Sequence, residues 1–519
     1  MTHPARRCGV LLHPTALPGT PACGSFGAPA RAWVELLGRH GIGVWQLLPL
    51  APTDGTASPY SSPSGSALNP WLIDADDLCA DGLITPADRD GLPGTGAAAA
   101  GRLDPALATS RSSAIAVALE RHWPRQSPAL QRDFTAWCRR EAAWLTDHAR
   151  FMVLRRLHRG EPWWRWPAAL AQRQRAALAA FDRAQAPALR QERLLQWQLQ
   201  VQWNRLRRLA SGCGVRLVGD LPFYVAHDSA DVWSRPGLFS LAPGGALEAQ
   251  SGVPPDYFSA TGQLWGTPVY RWWRHRLGGF RWWLNRLQRQ LEFFDLLRLD
   301  HFRALESYWR VPGDDSTAEH GRWRPSPGLA LLQRLRRRCR RRGLLLADGR
   351  LPLIAEDLGV ITPAVERLRD RFALPGMKIL QFAFDGNADN PYLPANTHGD
   401  NWVVYTGTHD NATTTGWWHD LGDGSRQQVE AVLGAAVQAP AWQLLELGLA
   451  SPAALVVVPL QDLLELGDEA RFNTPGTAEG NWCWRLQRPL ADLDGPLLGY
   501  GRMAAGYGRT AAAAAAAGG

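Results

Sequence analysis

Asp295-Leu-Leu-Arg-Leu-Asp-His-Phe302 has the apolar pattern of a buried strand but ends in charged and polar residues. Side chains alternate between the two faces of a strand, so Arg298 and Asp300 point the same way, while Leu299 and His301 point the other way. A charged pair at the end of an apolar run is costly to bury and needs a reason. We therefore interpret this strand end as part of a functional site.

Two later apolar runs follow the same plan, because one leads to Glu356 and the other to Asp410. An earlier apolar run ends at Asp220. The carboxyl ends of parallel strands meet at one edge of a sheet or barrel, so these three acids are expected to lie close to Asp300. The sequence therefore predicts one acidic site.

Eight strand-like runs separated by helical patterns match the count and alternation of an α/β protein built as a (β/α)8 TIM barrel. The second and third runs are far apart, and the segment between them is predicted to be a large helical insertion. Shorter loop insertions are expected elsewhere. The expected strands cover residues 9–15, 43–50, 215–222, 295–302, 351–357, 377–384, 402–408 and 455–460. The expected units are a discontinuous catalytic barrel at 1–74 and 215–505, a mainly helical insertion at 75–214 and a low-complexity tail at 506–519.

The composition is typical of a soluble globular protein, with 519 residues of which 45% are hydrophobic and 20% charged. No apolar run reaches the roughly 18 residues that a membrane span needs. The formal charge of +8 comes mainly from arginine, and the one dense basic run, residues 334–342, is interpreted as a solvated helix. Because no aromatic residues interleave with that run, we predict no nucleic-acid partner. Because no apolar run is long enough to span a bilayer, we predict no membrane partner.

The seven cysteines are scattered and form no CxxC pair, so neither a disulfide framework nor a zinc site is expected. The first residues lack the apolar core of a secretory signal and lead directly into a strand-like run. These features predict a cytoplasmic protein.

Several carboxylates at one barrel mouth allow either a metal site or acid/base and nucleophilic chemistry on a neutral substrate. A Mg²⁺ or phosphate enzyme is expected to carry a Gly-rich phosphate loop, and neither GxxxxGK[ST] nor a well-placed GxGxxG occurs. Aromatic side chains accompany the acids instead, which favours a sugar whose C–H faces stack on rings. These aromatic residues are Tyr60, Tyr224, Tyr257, Phe258, Trp265 and Trp482.

Each acid alone could simply cap the helix that follows its strand. Four together, with Arg298 beside Asp300, favour a catalytic site. Arg298 is expected to favour the ionised form of Asp300, as a nucleophile requires. Glu356 follows Ile354 and Ala355, and apolar surroundings with a nearby carboxylate are expected to raise its pKa, as a general acid requires.

With these residues assembled, the chain resembles the 4-alpha-glucanotransferases, the amylomaltases or disproportionating enzymes of glycoside hydrolase family 77, which are related to the α-amylases. The resemblance covers nearly the whole chain and rests on nine motifs in order. These motifs are Leu11-Leu-His-Pro-Thr-Ala-Leu-Pro-Gly19, Trp45-Gln-Leu-Leu-Pro-Leu50, Ser58-Pro-Tyr60, Gly219-Asp-Leu-Pro-Phe-Tyr-Val225, Gly252-Val-Pro-Pro-Asp-Tyr-Phe-Ser259, Arg298-Leu-Asp-His-Phe-Arg303, Ala355-Glu-Asp-Leu-Gly359, Tyr405-Thr-Gly-Thr-His-Asp-Asn411 and Asn473-Thr-Pro-Gly-Thr-Ala-Glu-Gly-Asn-Trp482.

The resemblance implies that Asp300 is the nucleophile, Glu356 the general acid/base and Asp410 the third carboxylate that stabilises the transition state. It implies a retaining double displacement on 1,4-α-glucans, with the two reacting carboxyls roughly 5 Å apart. The implied substrate contacts are Ser58, Tyr60, Asp220, Tyr257, Phe258, Gln263, Trp265, Arg298, His301, Asp385, His409 and Asn481.

Maltooligosaccharides and glucose are the implied donors and acceptors, and no cofactor or metal is implied. The assembly is expected to be a monomer or homodimer. The chain departs from the family pattern at Thr267, where Asn is more familiar, and at Arg271, where an acid is common. The main alternative function is an α-amylase-like retaining hydrolase, and a second is a glucan-binding protein without activity.

Overall fold

The computed structural model describes residues 6–96, 101–255, 260–477 and 479–509. Its strands form an eight-stranded parallel sheet and a four-stranded antiparallel sheet. In chain order the strands are β1 (Arg7–Leu11), β2 (Val44–Gln46), β3 (Arg216–Leu221), β4 (Ala249–Val253), β5 (Gln263–Pro268), β6 (Leu296–Leu299), β7 (Ser307–Pro312), β8 (Arg322–Pro325), β9 (Leu353–Ala355), β10 (Gly376–Ile379), β11 (Trp402–Tyr405) and β12 (Leu455–Pro459).

The parallel sheet curls into a nearly closed barrel with the strand order β10-β11-β12-β1-β2-β3-β6-β9. At the seam between its two end strands, the Ala355 amide donates to the Pro375 carbonyl oxygen at 2.8 Å. The predicted TIM-barrel fold is thus confirmed.

Alternation along the strands fills the barrel and also places its polar residues. In β3, Leu217 belongs to the outer core beneath the helices and Val218 to the inner cluster of barrel-lining residues. Asp220 lies two residues beyond Val218 and so shares its inward face. Arg298 pairs with Asp220 in the parallel register of β6 against β3. The polar site therefore continues the inner face of the barrel at its carboxyl end.

Helices surround the barrel and build the insertion between β2 and β3. The α-helices span Ala28–Arg39, Ala75–Ala80, Pro86–Asp90, Pro105–His122, Pro128–Arg140, Ala142–Leu157, Ala168–Ala171, Arg175–Ala184, Ala186–Gly212, Ala230–Ser234, Trp272–Leu277, Arg281–Phe293, Gly328–Arg342, Pro363–Arg371, Thr414–Asp420, Asp423–Leu433, Pro440–Ala450, Leu460–Leu463 and Asp494–Gly506. No helix in these described ranges is long and apolar enough to cross a bilayer.

The insertion is organised by the helix Ala186–Gly212, which packs against the barrel helix Ala28–Arg39 on one side and against insertion helices on the other. Within the insertion, the Ser127 hydroxyl accepts the Leu130 amide at 3.2 Å and caps the helix Pro128–Arg140. The exact limits of barrel, insertion and tail stay predictions.

Several predicted strands are too long. The strand expected over 295–302 stops at Leu299, because the chain turns at Asp300 and His301 takes a left-handed φ of 52°. The strand expected over 377–384 stops at Ile379 and continues as a 3-10 turn. Beyond the barrel rim the backbone loses its ladder partners, so an apolar run no longer implies a strand.

The antiparallel sheet, in the order β5-β4-β7-β8, was not predicted from the sequence. Strand β8 is exposed throughout and β5 is exposed at three of its six residues without regular alternation, so neither shows the pattern of a half-buried strand. This sheet places Gln263 and Trp265, both in β5, near the barrel mouth.

The predicted tail begins inside the folded part of the chain. The helix Asp494–Gly506 is followed by Arg509, which is fully buried and donates to the carbonyl oxygens of Leu449, Ala453 and Ser451. The alanine-rich residues 510–519 lie outside the described residues.

Candidate active site

Arg298 forms the centre of the site. Its Nη1 donates to Asp220 Oδ2 at 2.6 Å and to Asp300 Oδ1 at 3.0 Å. The side chains of Arg298 and Asp220 are 5% and 0% exposed, whereas that of Asp300 keeps 30% exposure toward the cleft. The Tyr60 hydroxyl donates to the same Asp220 oxygen at 2.8 Å. The predicted proximity of Arg298 and Asp300 is confirmed, and Asp220 proves to be a second acid on the same guanidinium.

The turn after β6 couples Asp300 to Glu356. The Asp300 amide donates to the Leu221 carbonyl oxygen at 3.0 Å, which fixes the start of the turn. The left-handed backbone of His301 then directs its amide to Glu356 Oε2 at 2.6 Å, and the Leu358 amide donates to Oε1 at 3.0 Å. Both carboxylate oxygens of Glu356 are therefore oriented by backbone donors.

Asp410 is held by residues that the sequence did not identify as functional. The Asn473 side-chain amide donates to Asp410 Oδ1 at 2.6 Å, and Arg471 Nη2 donates to the Asp410 carbonyl oxygen at 2.7 Å. His409 Nε2 lies 3.3 Å from Asp410 Oδ2. Asn473 opens one of the motifs that carry the family resemblance, and that was the only signal that pointed to it.

Several groups set the pKa of the Asp300 carboxyl. Burial raises the pKa of Asp300 to about 8; Arg298 lowers it, as predicted, but the neighbouring acids Asp220, Glu356 and Asp410 raise it further. One guanidinium serves several carboxylates, so it does not outweigh burial and mutual repulsion. Arg298 thus favours the ionised form of Asp300, as predicted, while burial and the neighbouring acids act in the opposite direction on its pKa.

Burial also raises the pKa of Glu356, against the opposing effects of Arg298 and the two backbone donors, in agreement with the expectation for a general acid. Because the carboxyls of Asp300 and Glu356 interact, they titrate as a pair. Both pKa shifts therefore favour retention of a proton on this pair.

Histidines and aromatic rings line the rest of the cleft. Tyr60 stacks on His409 with centroids 5.1 Å apart and planes 14° apart, and Trp482 lies against both rings. On the other side, Trp265 meets His301 edge-on at 4.9 Å. Burial lowers the pKa of His409 and lowers that of His301 to about 3, so both imidazoles are neutral at pH 7. Neutral rings can donate or accept hydrogen bonds without adding charge.

Comparison with known proteins assigns the family. The family model described as 4-alpha-glucanotransferase, Glyco_hydro_77, matches residues 12–491. The chain belongs to this family. The 4-alpha-glucanotransferase of Synechocystis sp. is 44% identical over 485 residues, which cover 92% of this chain and 94% of the relative. That of Thermus thermophilus is 44% identical over 490 residues, covering 93% and 95%.

A solved structure agrees with this family assignment. The amylomaltase from Streptococcus agalactiae in complex with acarbose has a TM-score of 0.91 and 32% identity, and the match covers 97% of this chain and 100% of that one. The chain is a transferase of the 4-alpha-glucanotransferase type. The resemblance to 4-alpha-glucanotransferases that the sequence motifs indicated is confirmed. The two alternatives, an α-amylase-like hydrolase and an inactive glucan-binding protein, are not favoured.

Three buried polar atoms in this glucanotransferase cleft have no hydrogen-bond partner among the described residues. They are Asp220 Oδ1, His301 Nε2 and the Tyr224 hydroxyl. A buried polar group without a partner costs free energy, so such atoms near a cleft indicate positions that a ligand or water completes. Tyr224 was noted in the sequence only as an aromatic residue.

Three other predicted contact residues form hydrogen bonds within their own loops. The Ser58 hydroxyl accepts the Tyr60 amide at 3.3 Å, and Asn481 accepts the Thr474 amide at 2.8 Å. Asp385 is exposed and accepts the Asn387 amide at 3.0 Å. Each side chain therefore orders its own loop, and a direct substrate contact by Ser58, Asn481 or Asp385 stays a prediction.

Two further predicted contacts, Gln263 and Trp265, lie in β5 of the small sheet. The Trp265 indole nitrogen donates to Gln263 Oε1 at 3.4 Å, and the Trp265 ring is 37% exposed. Tyr257 and Phe258 lie outside the described residues, so their expected roles over the cleft stay predictions.

Thr267 and Arg271, the two residues that depart from the family pattern, form hydrogen bonds with other residues of the protein. Thr267 Oγ1 lies 2.5 Å from Ser251 Oγ and links β5 to β4. Arg271 donates to Glu248 Oε2 at 3.0 Å and to the Leu241 carbonyl oxygen at 2.7 Å. Both side chains thus support the small sheet.

Within the described ranges, no group of three or more His, Cys, Asp and Glu side chains is arranged to hold a metal ion. The acids of the cleft are instead bridged by the Arg298 guanidinium and by neutral donors. This arrangement suits proton transfer and nucleophilic attack by carboxyl groups.

Replacing Asp300 with Asn is expected to change how stability depends on pH. The native state holds a proton that the unfolded chain loses near pH 4, so wild-type stability falls as pH rises toward the native pKa of about 8. The slope is at most about 1.4 kcal/mol per pH unit, and water reaching the partly exposed carboxyl reduces it.

The Asn variant lacks this term, so its thermal midpoint relative to wild type is expected to rise between about pH 5 and pH 8 and then level off. Parallel melting curves in matched buffers measure the difference. A midpoint difference that stays constant over this pH range would show that Asp300 is ionised in the free enzyme.

Proposed function

We propose that this 4-alpha-glucanotransferase works by a retaining double displacement in which Asp300 is the nucleophile and Glu356 the general acid/base. The observation that supports the proposal is a cluster of acids beyond the carboxyl ends of the barrel strands. Asp300 follows β6 and bonds to Arg298, Glu356 follows the neighbouring strand β9, and Asp410 follows β11, close enough for its charge to act on Asp300. A pair of carboxylic acids beside a neutral sugar cleft is the machinery of retaining glycosyl transfer.

In the first step Asp300 attacks the anomeric carbon of a 1,4-α-glucan, while Glu356 gives its proton to the departing glycosidic oxygen. The glucan segment becomes an ester of Asp300, and the remainder of the donor leaves with a free 4-hydroxyl. In the second step Glu356 takes the proton of an acceptor 4-hydroxyl, whose oxygen displaces Asp300 from the anomeric carbon. After the second step Asp300 is again a free carboxylate and Glu356 is again protonated, so charges and protons balance over the cycle.

The proton retained by the coupled pair fits this sequence of steps. For attack it must reside on Glu356, where apolar burial favours the neutral acid. Arg298 then stabilises the negative charge left on Asp300, and it does so again when the ester is broken. Asp410, oriented by Asn473, would face the positive charge that develops at the anomeric carbon.

The proposed donors are maltooligosaccharides and the acceptors are glucose or other maltooligosaccharides. The unpartnered Asp220 Oδ1 and His301 Nε2 are suited to bind sugar hydroxyls. The exposed Trp265 face and the Tyr60 ring offer flat apolar surfaces for sugar C–H groups. The loop over residues 252–259 is proposed to exclude water from the intermediate.

Incubation with maltotriose is expected to yield glucose together with longer oligosaccharides, with almost no increase in total reducing ends. Transfer conserves the number of glycosidic bonds, whereas hydrolysis converts each broken bond into a new reducing end. Chromatography of the products and a reducing-end assay on the same samples make the comparison. A steady rise in reducing ends in proportion to maltotriose consumed would contradict transfer as the main reaction.

Cellular location and assembly belong to the proposal as well. All seven cysteines are free, which supports a reducing compartment such as the cytoplasm. We propose a monomer or homodimer, which size-exclusion chromatography with light scattering would distinguish from larger assemblies.

A further inference from the structure

The loop that carries His409 and Asp410 joins β11 to the helix Thr414–Asp420. Both of its ends are buried, because Thr406 is 1% exposed and Thr414 is 0% exposed. Buried hydroxyl and amide groups need hydrogen-bond partners, since an unpaired one costs free energy. The partner of these two threonines therefore fixes where the loop starts and where it ends.

One carboxylate holds both ends of this loop. Asp462 Oδ2 accepts the Thr406 hydroxyl at 2.6 Å and the Thr414 hydroxyl at 2.6 Å, and its Oδ1 accepts the Thr414 amide at 2.8 Å. Asp462 is buried in the helix Leu460–Leu463, which directly follows β12. Since β12 is the parallel neighbour of β11, the segment after one strand supports the loop after the other.

Hydrogen bonds within the loop extend this constraint to Asp410. The Thr408 amide and hydroxyl donate to Asn411 Oδ1 at 2.9 and 2.8 Å, which closes a turn around His409 and Asp410. The Asp410 amide lies 3.3 Å from Thr408 Oγ1 and donates to it. A loop that is fixed at its base and again across its tip has little freedom to redirect the Asp410 carboxyl.

The chain after Asp462 also contacts Asp410 directly. Asp468 Oδ1 accepts the Thr413 amide at 2.8 Å, so this segment holds the end of the loop at a second point. Asn473 follows, and its side-chain amide donates to the Asp410 carboxyl at 2.6 Å. The segment from Asp462 to Asn473 therefore binds the loop at its base and at its tip.

We propose that Asp462 is a positioning residue for Asp410, because by holding both ends of the loop it keeps the Asp410 carboxyl directed at the anomeric carbon. Asp462 acts through the loop and does not contact the substrate. The role rests on the proposed function, in which Asp410 stabilises the positive charge of the transition state. Such stabilisation requires a carboxylate that is already in place before the reaction. A misplacement of about 1 Å can lower the rate on the order of 10²-fold.

Kinetics of D462N with α-maltotriosyl fluoride as donor and glucose as acceptor test this role. Asn has the shape of Asp but only one acceptor oxygen, so it cannot replace both oxygens that the two threonines use. We expect kcat for fluoride release to fall by about tenfold to 10²-fold, while KM changes by less than about threefold, since the substrate contacts stay in place.

The matched control is D74N. Asp74 is also a buried carboxylate that accepts a hydroxyl and an amide, from Ser25 at 2.7 Å and from Asp77 at 3.0 Å. It caps the helix Ala75–Ala80 and contacts no part of the loop that carries Asp410. Its replacement should lower the thermal midpoint but leave kcat unchanged.

The D410N background separates positioning from a general loss of structure. If Asp462 acts through Asp410, D462N should lower the kcat of D410N by less than about twofold, because the group that it positions is already lost. A purely structural role would lower kcat by the same factor in both backgrounds. T406V removes only one of the bonds to Asp462 and should show the same pattern at smaller size, so it decides the question if D462N does not fold.

A loss of kcat in D462N that disappears in the D410N background, with kcat unchanged in D74N, supports the role of Asp462. Wild-type kcat in both D462N and T406V overturns it, and so does an equal loss in both backgrounds. A loss in D74N as large as that in D462N also overturns it, because the removal of any buried carboxylate would then explain the effect. Wild-type turnover in D410N would overturn the role of Asp410 in the proposed function, and that of Asp462 with it, so the two failures are distinguishable.

Discussion

Replacing Asp300 with Asn is expected to lower kcat for maltotriose disproportionation by on the order of 10⁴-fold or more. The amide keeps the shape of the carboxyl but cannot form the glycosyl ester, so the first covalent step is lost. Arg298 retains Asp220 as a partner at 2.6 Å, which limits disturbance of the surrounding site. Substrate binding should persist, and so KM or the Kd for maltotriose should change far less than kcat.

Steady-state kinetics and calorimetry on the same preparation separate these two effects. The matched control is D133N, since Asp133 is an exposed acid on the insertion helix Pro128–Arg140 and its replacement should leave kcat unchanged. Wild-type turnover in the Asp300 variant would remove Asp300 from the nucleophile role. An equal loss in the control would instead point to a general loss of stability.

Replacing Glu356 with Gln is expected to reduce kcat for maltotriose by about 10²-fold to 10⁴-fold, the range of general acid/base catalysis. Gln cannot protonate the leaving oxygen, and it cannot accept the proton of the acceptor hydroxyl. The side-chain oxygen can still accept the His301 or Leu358 amide, so the local backbone should be preserved. The rate of the first step should therefore depend on how readily the leaving group departs without being protonated.

A donor with an activated leaving group makes this test specific. With α-maltotriosyl fluoride, fluoride leaves without an acid, so the variant should release about one equivalent rapidly and then stall at the glycosyl ester. Mass spectrometry of the stalled protein should find the added glucan on Asp300. The control is E366Q, at an exposed position of the helix Pro363–Arg371. Equal loss on both donors, with no fluoride burst, would contradict the role of Glu356 as acid.

The barrel and the position of its acids could be predicted from local patterns. Alternation in the apolar runs placed Arg298 beside Asp300, and parallel strands brought Asp220 to the same guanidinium. These relations follow from a strand period of two and from the register of neighbouring strands. They hold even though the predicted strands were too long at their carboxyl ends.

The residues that orient the acids could not be derived in this way. Asn473 meets Asp410 from 63 positions away, and no periodicity links an irregular loop to a strand end. The left-handed backbone of His301 reversed the face expected for that residue and brought its amide to Glu356. Such contacts depend on how loops cross at the barrel rim.

By itself, the sequence indicated the eight barrel strands, the barrel class and the family, because these depend on short-range patterns and on motifs. It also predicted which three carboxylates are catalytic. Only the tertiary structure showed which groups raise the pKa of Asp300. Its pKa depends on burial and on Asp220, Glu356 and Asp410, which the chain brings together from distant positions. Arg298 lowers this pKa, as expected from the sequence, but in a buried cluster the cost of desolvation and the repulsion among several acids oppose the attraction of a single guanidinium.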